Sequence, residues 1–355
     1  MKKIYFTPGP TQIYPQVQLH IEEAIKSGIC SISHRGRDFG EIFENTTGLI
    51  KKLLGIPDYF HIFFLGSATE AMERIIENCV EKHCYHFVNG AFSKRFFLTS
   101  CELKKYPEKT EANLGEGFDF SKVDIAENME MVCLTQNETG TGVLIPESQI
   151  SELKKKYPEK LFAVDIVSSV PYVNMDYSLI DCAFFSVQKG FGMPAGLGVA
   201  IANDKMMEKS RLLQKNNYNI GSYHNFPSLL KSAEKSQTPE TPNVLAIYVL
   251  GKICKDILEI GIGRIRKETD IKAKMMYDFF ESSRNYEIFV KDPNIRSKTV
   301  AVIDVLGGSK GIISRLSENG FAVGSGYGEL REKQIRIANF PMHSIQDVKN
   351  MLSFM

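Results

Sequence analysis

The chain has 355 residues, of which 43% are hydrophobic and 24% are charged. This length predicts a large domain, which we place at residues 16–250, and a small domain formed by residues 1–15 and 251–355. A formal net charge of +1 gives no reason to expect a nucleic-acid or membrane partner. The opening residues lack the apolar run of a signal peptide, so we expect a cytoplasmic protein.

Cysteine and histidine spacing does not predict a metal site. The seven cysteines are scattered without a CxxC pair. The cluster His83-Cys84-Tyr85-His86 has no second group of ligands at metal-site spacing, so we expect no metal.

The N-terminal part predicts a turn and two helices before the first long strand. Residues 7–11, Thr-Pro-Gly-Pro-Thr, have turn chemistry. Helices are predicted over 17–26 and 38–54, the second with a clear apolar side. Between them, the sequence Ser-His-Arg-Gly-Arg at 33–37 places cationic side chains before a helix start, which favours an anion. An ordinary charged loop is the alternative interpretation.

From residue 61 a pattern repeats in which an apolar strand leads into a polar or glycine-rich tip. Most of these tips lead into a helix. The predicted strands are 61–65, 85–88, 131–134, 161–164 and 182–187. This alternation predicts a mostly parallel, doubly wound α/β sheet. Because ligands bind at the carboxyl ends of the strands in such sheets, the tips are the predicted site.

The tips carry complementary chemistry. The turn Gly66-Ser67-Ala68-Thr69 at a helix start suits a phosphate. Asp165 ends an apolar run, where a carboxylate needs a cation. Phe92 lies in a glycine-flanked loop where its ring could stack on a flat ligand, and Asn137 and Thr139 offer short hydrogen-bonding groups.

Lys189 follows the last of these strands and is itself followed by a glycine-rich stretch. A lysine at the end of a buried strand is costly unless it is paired or covalently occupied. The alternative is a solvated lysine that opens a β-hairpin. A phosphate turn, a ring-stacking side chain, a buried carboxylate and an amine are together the parts that hold pyridoxal phosphate, whose ring nitrogen needs an acidic partner.

Short motifs along nearly the whole chain resemble those of the class V aminotransferases, which are fold-type I pyridoxal-phosphate enzymes. The resemblance is greatest to their phosphoserine aminotransferase branch. The motifs are TPGPT (7–11), SHRGRDF (33–39), GSATEA (66–71), GAFSKR (90–95), QNETGTG (136–142), VDIVSS (164–169), SVQKGFGMPAGLG (186–198), QTPETPN (237–243) and IRIANFP (335–341). The most specific parts are the QK-glycine motif and the spacing of 24 residues between Asp165 and Lys189.

The resemblance implies a homodimer with shared active sites. It implies that Lys189 is covalently linked to the cofactor and that Asp165 keeps the ring nitrogen protonated. The further cofactor contacts that it implies are Ser67, Ala68, Thr69, Phe92, Thr139, Gln188 and, from the neighbouring subunit, Gln237 and Thr238. For the substrate, it implies that Arg336 binds the α-carboxylate and that His34 and Arg35 receive the distal anion.

Some features depart from the phosphoserine branch. The turn GSATEA lacks the arginine that commonly serves the second substrate anion there, and Arg37 is a candidate replacement. The TPGPT turn is more typical of the alanine–glyoxylate and serine–glyoxylate branch. Phe92 takes the place of a stacking tryptophan, and the chain contains no tryptophan. Because the SHRGRDF motif still resembles the phosphoserine branch, we expect a phosphoserine:2-oxoglutarate aminotransferase of serine biosynthesis, with an alanine- or serine-glyoxylate/pyruvate aminotransferase as the alternative.

Two other classes are weighed against a transaminase. A cysteine desulfurase-like lyase is less favoured because Gln188 stands where those enzymes usually have a histidine. A non-catalytic cofactor-binding protein would not need Lys189, Asp165 and Arg336 together.

The C-terminal part predicts the rest of the small domain. A long helical region at 243–282 is expected to bend at Gly251, Gly261 and Gly263. It is followed by predicted strands at 299–305 and 335–338 and by predicted helices at 311–318 and 345–354.

Overall fold

The computed structural model describes residues 3–355, so the first two residues of the predicted small domain lie outside it. The strands are β1 (Ile4–Phe6), β2 (Phe60–Leu65), β3 (His83–Val88), β4 (Tyr106–Glu111), β5 (Met131–Thr135), β6 (Asn137–Glu138), β7 (Val143–Leu144), β8 (Leu161–Asp165), β9 (Cys182–Ser186), β10 (Gly198–Asn203), β11 (Tyr286–Ile288), β12 (Val300–Val305), β13 (Phe321–Ser325) and β14 (Gln334–Ala338). The helices are α1 (Val17–Lys26), α2 (Arg37–Leu54), α3 (Ala68–Cys79), α4 (Ala91–Glu102), α5 (Glu147–Lys156), α6 (Asp204–Lys215), α7 (Phe226–Ala233), α8 (Val244–Ile260), α9 (Ile262–Glu281), α10 (Lys310–Glu318) and α11 (Ile345–Leu352).

The larger sheet has the strand order β2-β10-β9-β8-β5-β3-β4. Its strands are parallel except β10, which is antiparallel to both of its neighbours. Separate apolar clusters cover its two faces. Burial on both faces explains why β5 and β9 read as continuous apolar runs rather than alternating ones. The predicted mostly parallel sheet is confirmed.

The register of this sheet places the tips together. Asp165, the last residue of β8, is paired with Thr135 on one side and with Phe184 on the other. On β10, Gly198 is paired with both Leu65 and Ser186. The carboxyl ends of β2, β5, β8 and β9 therefore lie at one edge, as parallel strands require.

The smaller sheet has the order β1-β13-β14-β12-β11. The N-terminal strand β1 pairs in parallel with β13, and the other pairs are antiparallel. The core beneath this sheet contains apolar side chains of α9, α10 and α11. Strand β1 thus brings the N-terminal residues into the same unit as the C-terminal third of the chain.

The predicted long helical region is broken at Gly261, which has a φ of 92° and separates α8 from α9. Gly251 lies inside α8, where a Cβ would come within 2.4 Å of Thr46 Oγ1 in α2. Its role is close helix packing rather than a bend. Gly263 lies within the first turn of α9. The bend predicted at Gly261 occurs as a break between α8 and α9, whereas Gly251 and Gly263, where bends were also predicted, lie within continuous helices. None of the helices in residues 3–355 is both long and apolar enough to span a membrane.

Candidate active site

Lys189 lies three residues beyond β9 and is only 6% exposed. Its Nζ donates a hydrogen bond to Thr139 Oγ1 at 2.9 Å and lies 4.9 Å from the centroid of the Phe92 ring. Burial lowers the pKa of Lys189, although the carboxylates of Asp165 and Glu138 oppose this shift. An amine that loses its proton more easily than a surface lysine is suited to act as a nucleophile and as a base.

Asp165 ends β8 and is 3% exposed. Its Oδ1 accepts a hydrogen bond from the Val167 N–H at 2.8 Å. Burial raises the pKa of Asp165, and the Val167 N–H and Lys189 counteract part of this rise. The carboxyl group is therefore placed where a cationic partner would favour its ionised form.

The predicted phosphate turn leads into α3. Ser67 caps this helix through a hydrogen bond from the Glu70 N–H to its Oγ at 3.0 Å, and the Ala68 N–H donates to Ser186 Oγ at 2.8 Å. A Cβ at Gly198 would lie 2.4 Å from the carbonyl carbon of Ser67, so glycine lets β10 approach the turn closely. Thr69 lies in the first turn of α3, whose N-terminus suits an anion.

The N-terminal turn covers Lys189. Gly9 has a φ of 110°, and a Cβ there would lie 2.8 Å from the Cε of Lys189. The TPGPT turn thus packs directly on the aliphatic part of the lysine side chain, which helps to exclude solvent from it. Gln188, next in the chain to Lys189, is half-buried.

Arg336 lies in β14 of the smaller sheet and reaches the Lys189 cluster. Its Nε donates to Ser325 O at 2.8 Å and its Nη1 donates to Thr139 O at 3.3 Å. The guanidinium carbon lies 5.4 Å from the Tyr327 ring, which in turn lies 5.6 Å from the Phe92 ring. These bonds use two of its five N–H groups, so the fork retains donors for a ligand carboxylate.

Glu138 is a residue of the site that sequence reasoning missed. Its carboxylate is fully buried and accepts hydrogen bonds from the N–H groups of Phe92, Ser93 and Gly140 and from the Ser93 hydroxyl, at 2.8–3.1 Å for the closest oxygen of each. Phe92 lies in the first turn of α4 rather than in the predicted loop, and Glu138 fixes that turn and the segment that follows Thr139. A charged residue inside the otherwise uncharged motif QNETGTG was the available signal.

Gly90 makes room for this carboxylate, since a Cβ there would lie 2.4 Å from Glu138 Cγ. Gly90→Ala is expected to lower the free energy of unfolding by about 1–3 kcal/mol through overpacking and to weaken cofactor binding by displacing Phe92. The matched control is Gly263→Ala in α9, where a Cβ meets nothing within 4 Å. That change is expected to stabilise the helix by about 0.5–1 kcal/mol. Urea unfolding of both variants measures the difference, and equal effects would contradict the role given to Gly90.

Four predicted residues are not brought to Lys189 within one chain, namely His34, Arg35, Gln237 and Thr238. Arg35 donates through Nη1 to Gln237 Oε1 at 3.1 Å and through Nη2 to Pro239 O at 2.8 Å. Thr238 Oγ1 donates to Glu240 O at 2.8 Å. The segment around His34 and Arg35 and the segment around Gln237 and Thr238 thus contact each other.

Arg37, the candidate replacement for the missing turn arginine, is largely exposed. Its Nε donates to Glu41 Oε1 at 2.7 Å in the first turn of α2.

The residues that do converge fit pyridoxal phosphate. They supply a buried amine, a buried carboxyl for a ring nitrogen, an aromatic face beside the amine and a helix N-terminus with a serine cap. The fold and this donor set define a pyridoxal-phosphate-dependent enzyme of fold type I. The sequence profile of the class-V aminotransferases matches residues 98–330 of the chain. The chain belongs to the class-V aminotransferase family.

Known relatives agree with this placement. An uncharacterized aminotransferase of Methanocaldococcus jannaschii is 30% identical over 311 residues, which cover 85% of this chain and 77% of that protein. A phosphoserine aminotransferase of Corynebacterium glutamicum is 24% identical over 98% of this chain and 92% of its own. The crystal structure of a phosphoserine aminotransferase from Cytophaga hutchinsonii superposes with a TM-score of 0.97 and 45% identity, covering 99% of this chain and 98% of that one.

Proposed function

We propose that this aminotransferase exchanges the amino group between phosphoserine and 2-oxoglutarate in serine biosynthesis, as a cytoplasmic homodimer with shared active sites. The observation that carries the chemistry is the buried Lys189 amine beside Thr139, Phe92 and Asp165. The phosphoserine assignment is supported by 45% identity over almost the whole chain to a phosphoserine aminotransferase.

The proton transfers are assigned to Lys189. Bound pyridoxal phosphate supplies an electron-withdrawing ring that makes the substrate Cα–H bond acidic. Lys189 Nζ accepts the Cα proton, and its lowered pKa suits that task near neutral pH. Asp165 holds the proton on the ring nitrogen. Phe92 would stack on the ring of a bound cofactor, and Thr139 orients the lysine amine by accepting its hydrogen bond at Oγ1.

Anion binding is assigned to two groups of residues. Within one chain, Ser67, Ala68, Thr69 and Gln188 bind the cofactor phosphate, and Arg336 binds the substrate α-carboxylate through its planar fork. A second copy of the chain supplies Gln237 and Thr238 to the cofactor phosphate and His34 and Arg35 to the distal anion of the substrate. The contact between Arg35 and Gln237 supports a single surface unit that serves the neighbouring site.

We also propose the domain division at residues 16–250 and at 1–15 with 251–355. Two separate sheets with their own apolar cores support a division of this kind. The proposed boundary at 250 falls inside α8.

A half-reaction screen tests the substrate. The purified yellow protein is mixed with phosphoserine, glutamate, serine or alanine, and the loss of visible absorbance is followed. Rapid loss with phosphoserine and glutamate, and little with alanine, is the expected result. Preference for alanine or serine would instead assign the protein to glyoxylate- or pyruvate-linked transamination, which the missing turn arginine and the TPGPT turn favour.

Arg35 gives a sharper test of the distal anion. Arg35→Ala is expected to raise the KM for phosphoserine roughly 10- to 100-fold, because hydrogen bonds to charged groups contribute about 1.5–3 kcal/mol each. The KM for alanine, which has no distal anion, should stay within about twofold. Arg37→Ala is the matched control, since Arg37 is exposed and pairs with Glu41. A larger effect of Arg37→Ala would transfer the anion-binding role to that residue.

A further inference from the structure

His224 is held between two carboxylates and is only 7% exposed. Its Nδ1 lies 2.5 Å from Glu70 Oε1, and its Nε2 lies 2.8 Å from Glu240 Oε2. The first contact is a hydrogen bond, while the second is a close charge contact that is poorly aligned for one. Because both ring nitrogens face carboxylate oxygens, both favour carrying a proton, which makes the ring an imidazolium.

The charges around the ring agree with this protonation state. Burial lowers the pKa of His224, but the carboxylates of Glu240 and Glu70 outweigh it and raise the pKa to about 9. Arg74 of α3 places a positive charge near Glu70 and is itself paired with Glu73 and Glu77. The neighbouring aromatic group is Tyr223, whose ring lies 4.2 Å from the imidazole.

Each of the two glutamates is hydrogen-bonded to a segment proposed to bind the cofactor phosphate. Glu70 Oε2 accepts from the Gly66 N–H at 2.7 Å, and the Glu70 N–H donates to Ser67 Oγ at 3.0 Å. Glu70 therefore fixes the turn at residues 66–69. On the other side, the main-chain carbonyl of Glu240 accepts a hydrogen bond from the Thr238 hydroxyl at 2.8 Å.

We propose that His224 is a positioning residue for the cofactor phosphate, which locks the turn at 66–69 through Glu70 and couples it through Glu240 to the segment that serves the second subunit. The charge of the imidazolium also offsets the repulsion between the Glu70 carboxylate and a phosphate at the same helix N-terminus. This inference rests on the proposed phosphate contacts of Ser67, Ala68, Thr69 and Thr238.

The test separates the phosphate from the rest of the cofactor. Wild-type and His224→Gln apoenzymes are titrated with pyridoxal phosphate and with pyridoxal, which lacks the phosphate. His224→Gln is expected to weaken binding of pyridoxal phosphate roughly tenfold, the size of about one lost hydrogen bond. Binding of pyridoxal, which has no phosphate, should change by less than about twofold. A merely structural role of His224 would instead weaken the binding of both ligands equally.

His61→Gln is the matched control. His61 Nε2 contacts Asp204 Oδ1 at 2.8 Å near the start of β2, the strand whose other end leads into the phosphate turn. This control should leave the ratio of the two affinities unchanged. If His224→Gln fails to fold, Glu240→Gln is measured instead and should lower the same ratio.

The pH dependence gives a second readout. Because the pKa of His224 is raised above its ordinary value of 6.5 to about 9, its stabilising effect is full below about pH 6.5 and is lost as the pH rises through about 9. The wild-type preference for pyridoxal phosphate over pyridoxal should fall over that range, and His224→Gln should lack this step. Titration of Lys189 affects both ligands and cancels in the ratio.

The outcomes distinguish the two proposals. A wild-type preference for pyridoxal phosphate that His224→Gln fully retains would overturn the positioning role alone. A wild-type protein that binds both ligands equally would overturn the phosphate contacts of the proposed function, and this inference with them.

Discussion

Lys189→Ala is expected to abolish transamination, lowering kcat/KM at least about 10⁴-fold, the upper end of what a positioned proton-transfer group contributes. The physical reason is that the lysine supplies both the amine that holds the cofactor and the base that moves the Cα proton. Initial rates with phosphoserine and 2-oxoglutarate measure the loss. Borohydride reduction of the wild-type protein, followed by peptide mass mapping, should find the cofactor attached to Lys189.

Lys94→Ala is the matched control, because Lys94 is an exposed lysine two residues beyond Phe92. It should retain activity within about twofold, as is usual for an exposed charge. Normal turnover by Lys189→Ala, or attachment of the reduced cofactor to another lysine, would show that the assignment is wrong.

Asp165→Asn is expected to lower kcat about 10²- to 10³-fold, comparable to the loss of one preorganised electrostatic group in other enzymes. The amide keeps the shape of the carboxyl group but cannot hold a proton on the ring nitrogen by charge.

The same substitution should increase the stability of the apoenzyme. Burial raises the pKa of Asp165 above its ordinary 3.8, so ionisation of this group costs stability increasingly as the pH rises above that value. The Asp165→Asn apoenzyme should therefore gain Tm relative to the wild type at pH 8 more than at pH 5.

Asp181→Asn provides the opposite pattern. Asp181 is also buried, but it directly precedes β9, at the end of the strand opposite to Lys189. Its carboxylate accepts a hydrogen bond from Lys154 Nζ at 2.9 Å. Its replacement should lower the Tm, because a buried ion pair is broken, and leave kcat within about threefold. Loss of kcat by both variants would indicate general damage to the sheet rather than a role of Asp165 in catalysis.

The sequence by itself determined the elements and most of the residues near Lys189. Short continuous apolar runs followed by glycine and small polar residues locate the strand tips, because strands buried on both faces have this pattern. The parallel-sheet rule then predicts that Asp165, Thr139, Phe92 and Lys189 lie at one edge. The structure brings them together there. Their place in the site can be predicted from the sequence because each of them follows a recognisable apolar strand.

Only the tertiary structure shows which contacts the distant residues make with the site. Arg336 reaches the cluster from the smaller sheet, and the Gly9 turn packs on Lys189 from the start of the chain. Glu138 and His224 gain their partners from loops and helices far along the chain. No local period or propensity encodes such contacts, because they arise only when separate elements pack against one another and leave a buried charge that must be satisfied.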